Sequence, residues 1–125
     1  KILDKKNHKA LIFFATGLLI SSVFQFFTAY AKSFTGVLLI RLAHTIGDML
    51  AILEMDVLTS LFFPVQRIGG NSGIIFCTRT TAIFLWAYMS GYLNSIGGYG
   101  LTFIINGIMV FAFAVITLAL IRKKF

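Results

Sequence analysis

Residues 36–63, GVLLIRLAHTIGDMLAILEMDVLTSLFF, set ionisable groups into an otherwise apolar run. Arg41, His44, Asp48, Glu54 and Asp56 all lie here, and the last three are among only four acidic residues in the 125-residue chain. A run of this length and hydropathy can cross a bilayer, where charged groups are costly unless they face protein or water. The chemistry open to such a set is ion pairing and proton exchange. Desolvation disfavours the charged form of a carboxyl group, so an aspartate at mid-membrane is a candidate proton carrier. A histidine one helical turn away could share or relay that proton. Asp48 and His44 have this relation; the competing reading is that Asp48 pairs with Arg41 or His44 and never titrates.

Helical periodicity sorts these residues. With Arg41 at zero and about 100° per residue, His44 falls near −60°, Thr45 near 40°, Asp48 near −20°, Asp56 near 60° and Thr59 near 0°. They form one polar stripe. Ala43, Gly47 and Ala51 repeat every four residues, a small-residue ridge on the other side that invites close approach of a second helix. Glu54 belongs with that ridge and is expected in a helix interface. Arg79 in the next span lies at a depth similar to Glu54 and Asp56, so an ion pair with one of them is expected, as a gate or as a structural tie. In the first span Gln25 stands in a mildly polar run with Ser21, Ser22 and Thr28, as a cavity candidate or as a hydrogen-bond partner between helices.

The elements that must position these groups follow from composition. The chain is 58% hydrophobic and only 12% charged, with mean hydropathy +0.93, which excludes an ordinary soluble domain. Four apolar segments of bilayer-spanning length are expected, at about 10–31, 34–63, 72–93 and 99–121. The fold class is an all-α, multi-pass helical bundle in the cell membrane, as a single domain. Basic residues at Lys1, Lys5, Lys6, Lys9, Arg67, Arg122, Lys123 and Lys124 would share one side of such a four-span stack, against Lys32 on the other. The excess of positive charge on the inner face places both termini in the cytoplasm. No cleavable signal peptide is expected, and the opening lysine suggests a processed or truncated piece.

Other chemistries lack their residues. There is no CxxC, HExxH or glycine-rich phosphate loop, so no metal, cofactor or nucleotide is expected. The net charge of +7 is dispersed rather than gathered into a patch, which argues against nucleic acid. Cys77 is expected to be structural. No nucleophile and oxyanion partner accompany Asp48 and His44, which argues against an enzyme.

The opening KILDKKNHK resembles the cytoplasmic loop of major facilitator superfamily transporters, with Asp4, Lys5, Lys6, His8 and Lys9 at the matching positions and Asn7 where a second glycine is usual. RLAHTIGD at 41–48 resembles that family's arginine-led helix, and FFPVQR at 62–67 its phenylalanine, proline and basic exit. The glycine-proline pair common in proton-coupled antiporters is absent. The resemblance implies the last four helices of one six-helix half, with Asp4 and its basic neighbours as a cytoplasmic latch. It implies a secondary transporter moving a small solute by alternating access, with protons as coupling partner and further helices or another subunit completing the cavity. A second account is a small accessory or structural membrane protein docking to a partner, and a third is a small dimeric multidrug exporter, although its first span lacks the acid such exporters carry.

Overall fold

The computed structural model describes residues 5–124, and side chains over 8–123. Three helices account for nearly all of it: α1, Lys5–Thr28; α2, Phe34–Phe62; and α3, Ile68–Lys124. Each is long and apolar enough to cross a membrane. The protein is a multi-pass membrane protein built as an all-α bundle.

Local chemistry sets the helix ends. At the start of α2, the Ser33 Oγ accepts a hydrogen bond from the Gly36 N–H at 3.1 Å, capping one of the amides that a first turn leaves without a partner. Pro64 is the chain's single proline, and it forces the residue before it out of the helical region. Phe63 is accordingly extended, with φ −110° and ψ 138°, and α2 stops there. A single 3-10 turn, Val65–Arg67, then leads into α3.

The bundle is organised around the crossing of α1 and α2. Gly17 and Ser21 on α1 meet Gly47 and Ala51 on α2, two pairs spaced four residues apart on their own helices. A Cβ added at Gly47 would lie 2.5 Å from the Ser21 backbone nitrogen and 2.8 Å from the Gly17 carbonyl oxygen. One added at Gly17 would lie 2.7 Å from the Ala51 nitrogen. Backbone therefore rests on backbone, the close approach that small residues permit within a membrane. The small-residue ridge of α2 does what its spacing predicts. On the flank of α1, α3 packs Gly107 against Phe26.

The third helix differs most from expectation. Gly98 has φ 73° and ψ −178°, a conformation that residues bearing a Cβ rarely adopt. There α3 bends into two arms. Thr102 Oγ1 donates to the Ser90 carbonyl at 3.4 Å, although twelve residues of straight helix would hold them about 18 Å apart. The bend sits beside the end of α1, where Gly100 approaches Ala29.

Four separate spans are thus corrected to three apolar helices, and the partial facilitator-type fold goes with that count. Residues 72–93 and 99–121 belong to one helical element, because 94–97 continue the helix and one glycine makes the turn. Likewise Gly69, Gly70 and Asn71, expected in a loop, already lie in α3. A count of separate spans therefore no longer places both termini on one side. The expected loop at the start is also helical: α1 begins at Lys5, since lysine, asparagine and histidine without glycine or proline do not interrupt a helix. Asp4 lies outside the described residues.

The crossing makes a direct prediction. Gly47→Ala should destabilise the bundle by about 1–3 kcal/mol, the usual cost of overpacking. Gly73→Ala should leave stability unchanged or slightly raised, because a Cβ there meets nothing within 4 Å. Thermal unfolding of both variants in the same detergent checks this.

Candidate functional site

At the α1–α2 crossing the polar residues converge. Ser21 is buried on α1, while His44 is buried on α2 and Asp48 stands one turn further along. The close backbone contact at Gly47 brings the Ser21 side chain between them. Ser21 Oγ donates to Asp48 Oδ1 at 2.6 Å, and His44 Nε2 lies 3.2 Å from Asp48 Oδ2. On the other side of the ring, His44 Nδ1 is 3.0 Å from Ser21 Oγ and 3.1 Å from the Ser21 carbonyl oxygen.

Donors and acceptors constrain the cluster. A carbonyl oxygen only accepts, and the Ser21 hydroxyl has already given its hydrogen to Asp48, so both partners of Nδ1 require it to carry N–H. Nε2 then faces a carboxyl oxygen. Two bare lone pairs would repel at this distance. A hydrogen shared between Nε2 and Oδ2 would satisfy both atoms. The His44 side chain is 9% exposed and that of Asp48 is 48% exposed, so one end of the pair is sealed and the other is open.

Arg41 solves its burial differently. It is half-buried, Nη1 donates to Gln25 Oε1 at 2.9 Å, and its guanidinium carbon stands 5.9 Å from the centroid of the Phe103 ring. The amide oxygen of α1 and the ring face of α3 thus hold the cation, the latter worth roughly 0.5–2 kcal/mol. Gln25 is the interhelical hydrogen-bond partner that the sequence allowed. Asp48 pairs with His44, and not with Arg41.

The remaining candidates are spread out. Arg79 is exposed on the first arm of α3 and, among the described residues, has no carboxylate within 4.0 Å, so the expected pair with Glu54 or Asp56 does not form. It lines two clefts instead. One, of about 350 Å³, it shares with Asp48, and the other, of about 180 Å³, with Asp56 and Thr59. Glu54 is half-buried and Asp56 exposed. Of the basic residues at the start, Lys5 and Lys6 fall in the first turn of α1 without described side chains, while His8 is half-buried and Lys9 exposed on the same helix. Cys77 is exposed.

The polar stripe and the small-residue ridge were expected on opposite sides of α2. They adjoin, because His44 and Gly47 are three residues and so about 60° apart around the helix, and both face α1. The sequence also pointed past Ser21 as a site residue. Its signal was the spacing Gly17, Ser21, Gln25, which puts a small residue and two polar ones on one face of α1.

Comparison with known protein families, curated proteins and solved structures finds no match. The resemblance to the major facilitator superfamily does not hold: no family model matches the loop or the arginine-led helix, and a bundle of three helices is not the last four of a six-helix half.

Ser21→Ala removes the donor to Asp48 and leaves His44 only the backbone oxygen. Loss of about 1–3 kcal/mol of stability is expected, the usual cost of leaving a buried polar group without its partner. Chemical denaturation in mixed micelles measures the loss, and the His44 ring proton resonances should shift while those of His8 stay in place.

Proposed function

We propose that this small multi-span membrane protein carries a small solute across the bilayer and couples its movement to the proton held between His44 and Asp48. One observation supports the reading above the rest: Ser21, His44 and the half-exposed carboxyl group of Asp48 form one hydrogen-bonded cluster across the α1–α2 crossing. A purely structural polar contact would need no such open end. Asp48 lies midway along α2, about 21 Å from either end, where a bound proton has left one aqueous side and not yet reached the other.

The packing suggests what moves. Helices α1 and α2 are locked backbone to backbone, whereas clefts separate α2 from the first arm of α3. Displacement of that arm against the α1–α2 pair would change which side reaches Asp48, and this is the alternating access the reading requires. The activity is carriage rather than catalysis, with the bilayer and the solute as partners.

Asp48→Asn should abolish solute-evoked proton movement while the amount of protein in the membrane stays the same. Purified protein in liposomes loaded with a pH-sensitive dye provides the measurement, with amino acids, sugars and organic cations added one at a time. Proton movement by Asp48→Asn at the wild-type rate would refute the proposal.

A further inference from the structure

The cleft of about 350 Å³ beside Asp48 has an unusual lining. Phe14 and Leu18 of α1, Ile52 and Met55 of α2 and Ile83 of α3 make apolar walls, and the two charged residues in it are Asp48 and Arg79. These have opposite sign and stand on different helices. They form no ion pair within 4.0 Å, so a cation and an anion face one space without closing on each other. In a membrane interior both charges are costly when left apart. A molecule carrying the complementary charges would satisfy both.

The free valences fit that description. A carboxylate offers about four lone-pair positions, and Ser21 and His44 use one on each oxygen of Asp48. With that side chain 48% exposed, the remaining positions can accept from an ammonium. Arg79 makes no hydrogen bond or ion pair with any described residue, which leaves its planar fork whole for a carboxylate. The volume lies at the small end of the range for ligand pockets, which suits a metabolite the size of an amino acid.

We propose that this cleft binds a small zwitterion with an apolar body, its ammonium on Asp48 and its carboxylate on Arg79. The assignment rests on the carrier reading above and names the class of its solute. It also explains the coupling, because an ammonium arriving at Asp48 competes with the proton shared with His44.

The experiment uses the full chain in lipid nanodiscs and radiolabelled L-leucine as the probe. Leucinamide, which lacks the carboxylate, and 4-methylpentanoate, which lacks the ammonium, serve as competitors. Each should compete about tenfold less well than unlabelled leucine. Asp48→Asn should remove the advantage of leucine over 4-methylpentanoate, and Arg79→Gln its advantage over leucinamide. Arg79 is exposed and makes no ion pair among the described residues, so its variant decides the matter even where Asp48→Asn disturbs the packing. Absence of saturable leucine binding, equal competition by all three compounds, or loss of the same preference in both variants would overturn the assignment. Charge-matched losses without proton movement in the dye-loaded liposomes would uphold the zwitterion site and sink the coupled carrier. Proton movement evoked equally by leucinamide and 4-methylpentanoate would do the reverse.

Discussion

The contact on which the rest depends is the crossing of Gly17 and Ser21 with Gly47 and Ala51. Within a bilayer, apolar helices gain little from meeting one another, because lipid tails are as apolar as the helices. Close packing and polar contacts must supply the attraction. Two glycines let the backbones touch, and that proximity brings the Ser21 hydroxyl and carbonyl within reach of His44 and Asp48. The polar cluster is therefore a consequence of the crossing as well as a contributor to it.

The same economy governs the charges. His44 and Asp48 lie on one helix at a spacing of four and satisfy each other across a turn, with Ser21 closing the arrangement from α1. Among the described residues no carboxylate neutralises Arg41; an amide oxygen and an aromatic face hold it instead. That leaves Asp48 free of a permanent arginine partner.

Much of this was legible in the order of residues. The span of α2, its polar stripe, its ridge of small residues and a partner for Asp48 in either Arg41 or His44 follow from a period of 3.6 and from the cost of burying charge. Relations between helices were harder to read. That the stripe and the ridge share one interface depends on where α1 lies, and Ser21 acquires its role only when Gly47 lets it in. At NSIGGYG, asparagine, serine and paired glycines signal a loop, yet the helix continues to Gly98, since nothing in a local pattern states which glycine takes the positive φ. At KKNHK, a dense basic stretch reads as a solvated loop, but its residues form helix readily and extend α1 by more than a turn beyond the apolar boundary.

The bend at Gly98 completes the physical account. A straight helix of 57 residues would run about 86 Å, against a hydrocarbon core of about 30 Å, so α3 cannot stay straight and remain in lipid. Bending divides the labour between its arms. The second arm packs Gly107 on α1 and presents Phe103 to Arg41, which fixes it to the rigid pair. The first arm carries Arg79 across open clefts from Asp48 and Asp56, with few packing contacts to hold it against α2. One arm is thus packed on the crossing pair, and the other stands across the clefts. A single glycine joins them, and the Ser21, His44 and Asp48 cluster belongs to α1 and α2 alone.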